Sequence, residues 1–307
     1  MSAPPVAIPD HVVDWIRDVF EQVNRRSATT LSRIPTTWET TLDHSLIGHL
    51  AEFSAPFRFA SNWVVNLDTH FIGGGRFWGK WEIADIGLLI IFRRSGRVIG
   101  TKLALLQSKR LYPDELEVEQ DIHRLDYMIG FGRLLESDSE YRAVVKPRTF
   151  HFSERPKYQA LEYGGEQYRA VLDYTSKHGI PVHYQLYNPL TVPSSADLPA
   201  AVESDPPTAD LRVGCRVVNA SALDARLQRA GLRNTQRPSF AQIAGAGGRL
   251  DDDFWTLHNF VADLVLGCKE GYLAGTNPMD DEALFTVFNR RSGPISAAIS
   301  ISIDAPG

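Results

Sequence analysis

Apolar and polar positions change their period several times along the chain, and each change marks an element. Trp63, Val65, Leu67 and Thr69 alternate with Val64, Asn66 and Asp68, so residues 62–71 read as a strand with its two faces in different surroundings. Residues 81–92 and 103–110 read as strands buried on both faces, each with hydrophilic groups at one end. The polar run 93–97, which contains Gly96, reads as a hairpin turn between them. Residues 180–187 read as a fourth strand and 211–218 as another. Near the end Ile295, Ala297, Ile299, Ile301 and Ile303 alternate with Ser296, Ala298, Ser300 and Ser302, a half-buried strand. Helical spacing appears where Leu42, Leu46, Ile47, Leu50 and Phe53 recur across residues 38–53, behind Thr36 and Thr37 as capping residues. Further helices are expected from Asp114 to about Met128, over Glu166–His178, from Ser221 to a stop at Gly231, and after the acidic run Asp251, Asp252 and Asp253.

These elements divide the chain. A helical segment occupies residues 1–35, and residues 36–192 hold the order helix, three strands, helix, strand. Residues 193–210 are rich in Pro, Ser, Ala and acids and read as an exposed loop or linker. Residues 211–307 form an α+β extension that packs onto the core. The fold class is α/β, a mixed sheet flanked by helices.

Two of the apolar strands carry polar residues where they meet. Gln107 and Lys109 lie two apart and share a face. Folding back about the 93–97 turn brings Asp85, at the start of one strand, beside them at the end of the next. Polar groups converging on otherwise apolar strands cost several kcal/mol if left unpaired, so they call for a role. A carboxylate and an amide carbonyl are hard oxygen ligands suited to magnesium, and the neighbouring ammonium suits an attacking water or the charge that builds on a phosphate. Taken singly, a strand-end Lys and a sheet-edge Gln are ordinary surface residues.

An acid on one strand followed, across a hairpin, by Gln107-Ser108-Lys109 on the next resembles the PD-(D/E)XK nuclease superfamily, also called restriction endonuclease-like. It is most similar to the Mrr-like branch, in which Q-x-K replaces E-x-K. The resemblance spans about residues 36–190, and Ala84 stands where the family often has Pro. It implies a restriction endonuclease-like sheet, Asp85 and Gln107 as metal ligands, Lys109 as the catalytic lysine, and magnesium or manganese as cofactor. It also implies a further acid from the first helix. Glu39 is the candidate, with Asp43 one turn later, although a first-turn acid is equally explained by the helix dipole. The implied function is a metal-dependent DNA endonuclease of bacterial restriction or phage defence, gated by a regulatory protein partner or by assembly into a homo-oligomer. A noncatalytic DNA-binding or assembly module and an RNase of the same fold are the alternatives.

Composition narrows this picture. A net charge of −5 excludes a generally basic coat but leaves room for a local basic cleft. Arg110, just past Lys109, is the first candidate for a phosphate contact. Arg76 and Lys80, in a loop with Phe77 and Trp78, are the others, although aromatics that close the core edge explain that loop slightly better. Two cysteines suit a reducing cytoplasm, and no leader or membrane-spanning run is expected, which excludes a membrane partner. The scattered histidines, the missing G-x-S-x-G and the glycine run without a following Gly-Lys-Ser/Thr exclude the common zinc hydrolase, serine hydrolase and P-loop signatures.

Overall fold

The computed structural model describes residues 4–72, 80–115, 148–198, 210–245, 253–274, 281–289 and 293–307. The chain begins with helix α1 (Asp10–Arg33), whose Val12, Ile16, Val19, Phe20, Val23 and Leu31 form one buried stripe at helical spacing. Helix α2 (Glu39–Ala51) follows. Its cap is Trp38 and not a threonine, because Thr37 Oγ1 donates to Ile34 O at 2.7 Å instead. Strands β1 (Phe57–Arg58), β2 (Val64–Phe71), β3 (Ala84–Arg94), β4 (Arg97–Arg110), β5 (Asp114–Glu115) and β6 (Arg148–Phe152) come next. Helix α3 (Glu166–His178), strands β7 (Val182–Tyr187), β8 (Ser194–Leu198) and β9 (Arg216–Asn219), and helices α4 (Ala220–Arg229) and α5 (Phe240–Ala244) follow. The last part holds β10 (Trp255–Thr256), α6 (Leu257–Asn259) running into a π-helical turn Phe260–Val265, β11 (Tyr272–Ala274), α7 (Glu282–Phe288) and β12 (Ile295–Ala305).

The result is a mixed α/β architecture built on a nine-stranded sheet in the order β1-β2-β12-β3-β4-β7-β9-β10, with β11 paired beside β4. The β3–β4 hairpin closes over Ser95 and Gly96, both left-handed (φ 49° and 76°), the pair of positive φ values that a tight two-residue turn demands. Strand β7 runs parallel to β4 after the α3 crossover, which ends at Gly179 with φ 65°.

Strand β12 occupies an unexpected place. It lies between β2 and β3, antiparallel to the first and parallel to the second. Strands β2 and β3, consecutive in the chain, do not pair with each other, because β12 separates them. Residues 73–79 lie outside the described residues. The 211–307 segment thus supplies four strands, β9, β10, β11 and β12, to the main sheet.

Three further expectations are corrected. Asp114 and Glu115 do not open a helix but pair with His151 and Phe150; the rest of that expected helix lies outside the described residues. Ser194–Leu198, read as linker, pairs antiparallel with β6 in a second sheet, β5-β6-β8. Phe254 to Val265 is not one helix: Trp255 and Thr256 pair with β9 before the chain turns helical.

Helices cover both faces of the main sheet. Tyr184 of β7 stacks on Tyr168 of α3, while its neighbour His183 packs on Phe260 and Tyr187 bonds to Asp43 of α2. Successive β7 side chains therefore meet α3 on one face and α2 with the π-helical turn on the other. Among the described residues no helix is long and apolar enough to cross a membrane.

Candidate functional site

Asp85 opens β3, and the register that sets Ile86 against Leu106 places it opposite Gln107. Gln107 Nε2 donates to Asp85 Oδ2 at 2.5 Å, and the backbone N–H of Ser108 donates to the same oxygen at 2.6 Å. In β4, Gln107 and Lys109 sit level with Tyr184 and Leu186 of β7, on the face that α3 covers. Glu39 reaches the same strand end from α2: its Oε2 lies 3.9 Å from Lys109 Nζ, and its Oε1 accepts from the Arg110 backbone N–H at 3.3 Å. The structure thus brings Asp85, Gln107, Lys109 and Glu39 to one end of two adjacent strands.

Asp43 lies on the opposite face. Its Oδ1 accepts from Ser108 Oγ at 2.6 Å and from Tyr187 OH at 2.8 Å, and Gln185 Nε2 donates to that phenol oxygen at 2.6 Å. This buried network braces β4 and β7 against α2 from behind. Of the two candidate acids on α2, Glu39 is the one beside Lys109.

Burial dominates the electrostatics. It raises the Asp85 carboxyl from 3.8 to about 6, against the opposing pull of the Lys109 ammonium and the Ser108 N–H; Glu39 adds to the rise. Burial likewise raises Glu39, which Lys109 and the Arg110 N–H partly offset. Asp43 is pushed well up by burial and by the nearby Asp85 charge. Ionised together, the Asp85 and Glu39 carboxylates outweigh the single Lys109 ammonium, a balance that favours a further cation.

No family model matches the chain, and no curated protein or solved structure matches it significantly.

The donor set is mixed. Among the described residues no group of three or more His, Cys, Asp or Glu side chains is arranged to hold a metal ion. The set here is instead an acid, an amide and a second acid, and one feature of it fits a hard cation. Gln107 Oε1 is buried without any hydrogen-bond partner, an unsatisfied oxygen on the residue that bonds to Asp85.

The expected phosphate contacts fare differently. Arg110 is buried, its Nη1 donates to Thr37 O, and its guanidinium stacks 3.8 Å from the Tyr112 ring centroid, so it braces the strand end and is not presented to a ligand. Lys80 is exposed in a turn, and Arg76 lies outside the described residues. Gln107 and Lys109 are only 2% and 5% exposed. Sequence spacing gave no sign of the Asp43–Ser108–Tyr187 network, whose members come from three distant segments.

Proposed function

We propose that the chain is a divalent-metal-dependent nuclease with a restriction endonuclease-like core, hydrolysing phosphodiester bonds in DNA, and that it works in the bacterial cytoplasm in restriction or phage defence. The observation that carries this reading is the buried, unpartnered Oε1 of Gln107, whose amide nitrogen bonds to an Asp85 carboxyl that also feels the Lys109 ammonium. Asp85, Gln107 and Glu39 would hold magnesium or manganese there. The bound ion supplies Lewis-acid polarisation of the phosphate and a water of lowered pKa. Lys109 orients the attacking water and offsets the negative charge that grows on the phosphate oxygens as the new P–O bond forms and the bond to the leaving sugar oxygen breaks. Glu39, within ion-pair range, holds the ammonium in place. The Ser108 N–H fixes the Asp85 carboxylate, so the ligand is oriented before any ion arrives.

A second reading is favoured by the burial of Gln107 and Lys109. A noncatalytic DNA-binding or assembly module with this core would need no opening to the cluster. One panel separates the readings: linear, circular and single-stranded DNA and RNA, each with and without manganese, with Lys109→Ala alongside. The nuclease reading expects manganese-dependent cleavage of DNA that Lys109→Ala lowers by several orders of magnitude. DNA binding without cleavage establishes the module, and cleavage of RNA alone establishes an RNase.

A further inference from the structure

The described surface holds a second polar feature, apart from the buried cluster. A cleft of about 650 Å³ is lined by Arg155, Lys157 and Arg237 together with Gln159, Gln236 and Gln242, and no carboxylate lines it. All three cations are exposed, and none forms an ion pair among the described residues. On a chain of net charge −5, three cations in one concavity with no acid between them repel one another and focus a positive potential. The amides add neutral donors and acceptors, and Arg237 Nη1 donates to Gln159 Oε1 at 3.3 Å, which orients one guanidinium.

The cleft rests on a stiff frame. Lys157 bridges through its backbone to Tyr112 on one side and Ser239 on the other. Tyr158 N donates to Pro238 O at 3.0 Å, Phe240 N donates to Pro156 O at 2.8 Å, and the buried Tyr158 OH donates to Asn188 Oδ1 at 2.6 Å. The positions from which the cations project are thus fixed before any ligand binds.

The frame also ties the cleft to the buried cluster. Tyr112, whose N–H donates to Lys157 O at 3.0 Å, lies three residues beyond Lys109. Three extended residues cover about 10 Å.

We infer that this cleft binds the sugar-phosphate backbone of a DNA strand, with Arg155, Lys157 and Arg237 on its phosphates. The inference deepens the nuclease reading and rests on it for the identity of the strand. It assigns to exposed cations the role that the buried Arg110 does not fill.

The test is binding of the full chain to labelled single-stranded and duplex DNA across a range of salt, without divalent ions so that nothing is cut. The triple variant Arg155→Gln, Lys157→Gln, Arg237→Gln is expected to bind at least about tenfold more weakly at low salt. Its plot of log affinity against log salt should be shallower by about two to three, because each phosphate contact contributes roughly 0.7 to 0.9 to the slope. Lys157→Gln alone should lower the slope by about one and guards against a folding defect in the triple variant. Equal affinity and slope in variant and wild type overturns the inference, as does absence of DNA binding by the wild type. Displacement of DNA by inorganic phosphate at constant ionic strength would indicate a free-anion site and overturn the strand assignment. Binding of RNA but not DNA also overturns it. Failure of the two proposals is distinguishable: cleft-dependent binding without manganese-dependent cleavage removes the nuclease and keeps the cleft, while cleavage with cleft-independent binding does the reverse.

Discussion

Asp85 is a carboxyl group that folding makes harder to ionise. Burial lifts it from 3.8 to about 6, so the folded chain holds this proton more tightly than the unfolded chain does. Stability from this group is therefore greatest at low pH and falls as pH rises from about 4 through 6, beyond which the loss is complete. Asp85→Asn keeps an oxygen to accept from Gln107 and Ser108 and removes the titration. It is expected to melt higher than wild type at pH 7 without added metal, with the gap closing below pH 4; a gap that ignores pH contradicts this. A destabilising acid retained at a strand end is the kind of cost that functional sites carry. Behind the sheet, Tyr187→Phe removes the hydroxyl that joins Gln185 to Asp43 and leaves buried partners unsatisfied. Urea unfolding should show a loss of about 1–3 kcal/mol. At this scale the meeting of Asp85 and Gln107 was legible, because period two and one short turn determine it. The partners of Asp43 were not, since they lie 65 and 144 residues away in sequence.

Among the elements, β12 holds the sheet together. Its Ile299, Ile301 and Ile303 are fully or almost fully buried, and it supplies the ladder for both β2 and β3. Ile301→Ala should cost about 2–5 kcal/mol with an unchanged denaturant slope; a loss below 1 kcal/mol would show that the strand is peripheral. Alternation identified this segment as a strand, but alternation defines faces and says nothing about neighbours. Its pairing with β3 joins residues more than 200 apart, beyond any local pattern. Helix α3, by contrast, was legible around Glu166 to His178, because a short Gly turn, left-handed at Gly179, ends it before the next strand. The Ser- and Asp-containing β8 read as linker because pairing with β6, rather than its own propensity, makes it a strand.

For the whole molecule, an acidic chain presents an acid-free basic cleft on its described surface and keeps its polar cluster closed, with Lys109 only 5% exposed. The proposed binding cleft and the proposed metal site thus occupy different places, joined through Tyr112 and Arg110. The basic cleft was not legible in the sequence, since Arg155 and Arg237 stand about 80 residues apart and only the fold brings them together. The central claim is that Asp85 and Gln107 form a cation site beside Lys109. Calorimetric titration of manganese into the protein without nucleic acid tests it most directly. The account predicts saturable binding of manganese that Asp85→Ala abolishes and Gln107→Ala weakens; no binding, or binding that survives Asp85→Ala unchanged, would contradict it.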